Sequence, residues 1–305
     1  MRGPVGRPVA SRLTAEDLRA DAVFRAVSPP NDPAASSRLA RITPTALDGI
    51  EQALLDRERR VLEFVAEHRL ATGGQLARRF WSDEGELTTG RRRRARRVLE
   101  QLTALRVLDR LPRRVGGVRA GSDSFVYAIG AAGVRLLARW GRPAARPDAP
   151  GDRFVRHTLV VTEFAVRLHE AHDRGDLELI ELQNEPASWR PFVAAGGARL
   201  ILKPDLFIRL GAGDSEDHWF LEADLATEAR RTLIAKGRRY FDHFRSGQLQ
   251  HESGAYPRVL WAVPDAHRAA LMQDAFDRLP SETKKLFTIC RFTEAVDLLA
   301  AEARL

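Results

Sequence analysis

Two apolar runs with acids at their ends constrain this chain most. Pro204-Asp205 opens the run Leu206-Phe207-Ile208, and Glu222 and Asp224 close the run Trp219-Phe220-Leu221. Gly211–Asp217 joins them as a polar, turn-rich connection of hairpin type. A hairpin brings Asp205 and Glu222 together, and converging carboxylates repel unless a cation neutralises them. Oxygen ligands of this kind suit Mg²⁺ or Mn²⁺. A helical pattern follows, with apolar residues at Ala229, Leu233, Tyr240 and Phe244, and Lys236 falls on that apolar side. A lysine there needs an anionic partner. The residues leave two readings open. One is a structural ion pair from Lys236 to Glu222 or Asp224. The other is an acid corner that holds a metal while Lys236 orients or activates the attacking water.

The 305 residues suggest about two domains. No apolar run nears the roughly 20 residues that span a membrane, so no membrane partner is expected. The first residues lack the apolar core of a signal peptide. A single cysteine, Cys290, excludes an intrachain disulfide and a cysteine-rich zinc site. The cytoplasm is the expected compartment.

Charge divides the chain. Residues 1–150 carry 28 basic and 17 acidic residues (+11), and residues 151–305 carry 21 and 24 (−3). A basic excess confined to one half points to an anionic polymer as that half's partner. Residues 1–44 are rich in Pro, Ala, Ser and Arg and read as a flexible arm, with a short helix expected at Thr14–Val27. Residues 45–141 are helix-rich. The Pro/Gly stretch Gly141–Gly151 is the expected linker to residues 152–305.

Residues 45–141 have the order of a winged helix-turn-helix. Asp56 is expected to cap a helix through His68, Thr72 a second helix over Gln75–Phe80, and Thr88 or Thr89 a third running to Leu105. Ala95, Val98, Leu99, Leu102 and Leu105 share one face of the third helix, and Arg93, Arg96 and Arg97 fall opposite. Two strands, Leu108–Arg114 and Ser124–Ile129, flank a glycine-rich wing at Val115–Ser122, and a helix at Ala131–Trp140 closes the unit. Thr88–Arg119 holds eleven arginines against Glu100 and Asp109. A basic third helix suits the major groove of double-stranded DNA, and a basic wing suits the adjacent backbone. The residues expected to contact nucleic acid are Arg91, Arg92, Arg93, Arg94, Arg96, Arg97, Arg113, Arg114 and Arg119. A solvated face or a protein-docking wing is the plain alternative.

The second half reads as helix Arg156–Ala171, strand Leu177–Gln183, hairpin Leu200–Leu210 with His218–Asp224, helix Glu228–Phe244, strand Arg258–Val263, helix Ala266–Leu279, strand Leu286–Phe292 and helix Glu294–Ala301. The whole is expected to be α+β, with the winged helix followed by an α/β domain on a central mixed sheet. This order, with Asp205 and Glu222 at its centre, resembles the PD-(D/E)xK nuclease superfamily. More closely, residues ~45–300 resemble the replication-relaxation family, on His157, Glu185, Pro204-Asp205, Glu222-Ala223-Asp224, Thr227, Lys236 and Tyr240.

The resemblance implies that Asp205, Glu222 and the Ala223 carbonyl hold Mg²⁺ or Mn²⁺. It also implies that Glu163 matches a carboxylate of the first helix and that Lys236 replaces the lysine usually found where Asp224 stands. The catalytic set implied is Asp205, Glu222, Lys236, Asp224 and Glu163. Its partners would be double-stranded DNA, replication or transfer proteins and a second copy of the chain. The implied function is a metal-dependent endonuclease or nickase of a plasmid or mobile element. The alternatives are a non-catalytic replication factor or regulator and a metabolite-sensing transcription factor. No phosphate-binding loop or nucleophile elbow occurs, and His169 and His172 suit a helix C-terminus better than a metal.

Overall fold

The fold is known from a computed structural model that describes residues 42–82, 88–114, 125–142, 144 and 151–303, with the backbone alone at 112–114. The arm, its expected helix and the wing lie outside the described residues, save for Ile42–Pro44 at the arm's end. All elements below belong to one compact unit, Pro44–Leu305.

The first half runs α1 (Pro44–Ala53), α2 (Asp56–His68), β1 (Ala71–Thr72), α3 (Gly73–Trp81), α4 (Thr89–Ala104), β2 (Leu108–Arg114), β3 (Phe125–Ile129) and α5 (Ala131–Arg139). The three strands form one antiparallel sheet in the order β1-β3-β2. Helix α2 buries Val61, Leu62, Phe64 and Val65 on its inner side. Its cap is Leu55 rather than Asp56: the Leu55 N–H donates to the Glu58 carboxylate at 3.0 Å, and Asp56 lies inside the first turn. Thr72 does cap α3, through a reciprocal pair with Gln75 at 3.1 and 2.8 Å. The Thr88 hydroxyl accepts the Arg91 N–H at the start of α4. The sequence pattern predicts neither helix α1 nor strand β1: a two-residue strand shows no alternation, and α1 buries only Leu47.

The second half runs α6 (Asp152–Asp173), β4 (Glu178–Asn184), β5 (Arg190–Val193), β6 (Arg199–Leu202), β7 (Leu206–Ala212), β8 (Ser215–Ala223), α7 (Arg230–Arg245), α8 (Gln248–Ser253), β9 (Arg258–Val263), α9 (Ala266–Phe276), β10 (Phe287–Arg291) and α10 (Ala295–Glu302). Strand order is β10-β9-β8-β7-β4. The β10–β9 and β9–β8 pairs are parallel and the β8–β7 and β7–β4 pairs antiparallel, so the central sheet is mixed. Helices cover both faces. Leu206, Ile208, Trp219 and Leu221 pack with Phe164 and Leu168 of α6 and with α10. Phe207, Phe220, Val259 and Trp261 pack with Leu233 and Tyr240 of α7 and with α9. Burial on both faces explains why β8 and β9 read as unbroken apolar runs.

Two expectations are corrected here. Leu200–Leu210 is not one strand. Residues 199–202 pair with β5, and β7 begins only at Leu206. Pro204 between them has no N–H for a ladder, and its carbonyl accepts from the Ser188 hydroxyl at 2.7 Å. The polar connection Gly211–Asp217 is mostly strand: pairing continues to Ala212 opposite Ser215, and Gly213 (φ 59°) turns the chain.

Helix α6 is the spine of the unit, and it starts four residues before the expected Arg156. Phe164, Leu168 and Ala171 face the sheet, while Val155 and Leu159 pack with Leu70, Val126 and Ala128 of the first half.

Candidate functional site

Register builds the acidic corner. Leu206 lies opposite Leu221, so the next step places Asp205 opposite Glu222 on one face. Both are buried, at 6% and 1% exposure. Asp205 Oδ1 lies 3.0 Å from His157 Nε2, and Oδ2 accepts the Ala223 N–H at 2.7 Å. Glu222 Oε2 accepts from Lys236 Nζ at 2.8 Å and Oε1 from the Tyr240 hydroxyl at 2.6 Å. One turn of α7 thus presents both Lys236 and Tyr240 to the same carboxylate. Lys236 also reaches Glu228, at 3.9 Å.

The electrostatics separate the two acids. Burial disfavours the Asp205 anion, but the His157 hydrogen bond and the nearby positive charge outweigh it and hold the pKa below the ordinary value. Burial pushes Glu222 up to about 7, with the Asp205 charge adding to the rise and Lys236 opposing it. Burial likewise opposes the charged forms of His157 and Lys236, yet the neighbouring carboxylates raise both pKa values.

Asp224 and Glu163 stand elsewhere. Asp224 Oδ2 takes two bonds from Arg268, at 2.9 and 2.6 Å, and Oδ1 accepts the Ala226 N–H at 2.6 Å. Arg268 is 8% exposed, so this is a buried ion pair on the α9 side. Glu163 faces the first half. It accepts from Arg78 at 2.6 Å and from Gln75 at 3.2 Å, and Arg78 also forks onto Glu170 at 2.8 and 2.6 Å. Arg268 lies 44 residues from Asp224 and Arg78 lies 85 from Glu163. No local pattern announces either partner.

The cation implied by the family finds hard oxygens here, but they are taken. All four carboxylate oxygens of Asp205 and Glu222 accept from protein donors. Among the described residues, no group of three His, Cys, Asp or Glu side chains converges as a metal cradle. The corner as it stands is a closed ion-pair network and does not fit a bound metal.

The arginine helix is its opposite. On α4, Ala95, Leu99 and Leu102 are buried while Arg92, Arg93, Arg94, Arg96 and Arg97 are exposed; Arg91 is half-buried. Arg96 pairs with Glu100 at 3.0 Å, one turn on. Arg113 and Arg114 lie on β2, and Arg119 lies outside the described residues. No helix among the described residues is long and apolar enough to cross a membrane.

No curated protein and no solved structure matches the chain. The replication-relaxation family description does match, over residues 62–259, from inside α2 to the second residue of β9. That span holds the arginine helix, the spine and the whole acidic corner. With most of its length matched, the chain belongs to the replication-relaxation family, whose theme is replication or transfer of plasmids and mobile elements.

Proposed function

We propose that this is a DNA-binding protein acting in replication or transfer of a plasmid or mobile element, with the winged half holding double-stranded DNA. The exposed arginine face of α4 carries this reading. Among the described residues, Arg92, Arg93, Arg94 and Arg97 make no ion pair, so phosphates meet no internal competitor there. The test is binding to a DNA duplex across a salt series. Micromolar or tighter binding with a steep salt dependence supports the reading, and a flat salt dependence refutes it.

A second reading has its own observation. Lys236, 2.8 Å from Glu222 and beside Asp205, reproduces the acid–acid–lysine set of the PD-(D/E)xK superfamily with the lysine on α7. On this reading the protein would be a Mg²⁺- or Mn²⁺-dependent endonuclease or nickase, and the cation would have to displace the protein donors that now occupy the Asp205 and Glu222 oxygens. Supercoiled plasmid carrying the native locus is incubated with Mn²⁺, Mg²⁺ or EDTA, beside an Asp205→Ala/Glu222→Ala variant. Metal-dependent open-circle or linear product, lost in the variant, supports cleavage. Intact DNA binding with no conversion leaves the non-catalytic replication factor.

A further inference from the structure

A small open cleft lies where the two halves meet. Glu67, His68 and Arg69 from the end of α2 line it on one side, and His157, Glu185 and Asp205 on the other. The acidic corner is therefore not the property of the second half alone.

Two observations single out Arg69, and a third concerns its neighbour His68. Its backbone has φ 66° and ψ −45°, and the Leu70 N–H donates to the His68 carbonyl at 2.7 Å across it. This is a tight three-residue turn with positive φ at a residue other than glycine, a strained state that favours a functional reading. Its guanidinium, about a third exposed, is held loosely: 3.5 Å from Glu185 Oε2 and 3.4 Å from the Glu185 carbonyl. Beside it, His68 is 4% exposed, and its Nδ1 has no hydrogen-bond partner although the residue lines the cleft. A buried ring nitrogen left unpaired is costly unless something polar enters.

We propose that the cleft takes one backbone phosphate of nucleic acid, with Arg69 as its positioning residue. The inference rests on the DNA-binding reading above but not on cleavage. The acids of the cleft already have partners. Asp205 has His157 and the Ala223 amide, and Glu67 accepts from Asn184 at 3.2 Å. Glu185 also accepts from the Trp189 indole at 3.2 Å, so it keeps a partner when Arg69 leaves. The phosphate exchanges a long contact to one carboxylate for a bidentate fork on the guanidinium. A strand gripped there would lie against Asp205 while α4 holds the duplex.

Opposite signs of two substitutions test this. Affinity of the full chain for a short DNA duplex is measured in EDTA across a salt series, for wild type, Arg69→Gln, Arg69→Lys and Glu185→Gln. Losing one phosphate contact should lower the log–log salt slope of Arg69→Gln by about 0.9 and weaken binding several-fold, with Arg69→Lys restoring most of it. Glu185→Gln, which removes the competitor, should tighten binding. If Arg69 only holds Glu185 in place, both substitutions will weaken binding alike and lower the melting temperature, and the proposal falls. An unchanged slope in Arg69→Gln, with wild type binding normally, overturns the site and spares the DNA reading. A wild type that binds no DNA overturns both.

Discussion

Helix α4 and the acidic corner are both crowded with charge, and they handle it in opposite ways. On α4, six arginines stand within seven residues, and Arg96 pairs with Glu100 at the surface. Water and salt screen the repulsion there, so charges need no partners, and surface pairs matter little. At the corner and in the neighbouring Asp224–Arg268 pair, Asp205, Glu222, Lys236, Asp224 and Arg268 are each bonded to at least one protein group. A buried charge without a partner costs several kcal/mol, so these residues persist only as a matched set. An exposed cluster is free to meet a ligand, whereas a buried one must first exchange its internal partners. That is why the corner cannot be read directly as a metal site.

The largest break in this contrast should come from Arg268→Ala. It leaves Asp224 buried and uncompensated, and a loss of about 3–5 kcal/mol is expected in denaturant unfolding. A loss below about 1 kcal/mol would mean that water reaches Asp224 and that this buried pair behaves like a surface one.

Next comes pH. Burial, then repulsion from His169, push the His68 pKa down from 6.5 to about 3. Between those values the unfolded chain binds the proton and the folded chain does not. This contribution to stability is intact above pH 6.5 and is lost as pH falls toward 3, by at most about 1.4 kcal/mol per pH unit. His68→Gln should flatten the acid limb of a stability–pH profile, and an unchanged profile would show the ring to be hydrated.

The smallest stability effect belongs to α4. Replacing Arg93, Arg96 and Arg97 with alanine should change unfolding free energy by about 0.5 kcal/mol or less. The same variant should lower the salt slope of DNA binding by about 2.7, three phosphate contacts at about 0.9 each. A large destabilisation with an unchanged slope would invert the comparison and make α4 structural.

The sequence alone determined what depends on neighbours along the chain. The apolar stripe of α4 and the arginines opposite it follow from helical period. The Thr72 and Thr88 caps follow from residue type, and the Asp205–Glu222 juxtaposition follows from hairpin register. Lys236 was placed on the inner side of its helix, but periodicity could not choose between Glu222 and Asp224 as its partner.

Tertiary structure made that choice and assigned the remaining charges. Asp224 went to Arg268, Glu163 to Arg78, Tyr240 to Glu222 and His157 to Asp205. It also turned α6 into a spine with two buried stripes and brought Arg69 to the cleft beside Asp205. The reason is physical. Periodicity and capping are local and repeat at fixed spacings, whereas a buried charge takes whichever partner the packing of distant elements brings within hydrogen-bond reach.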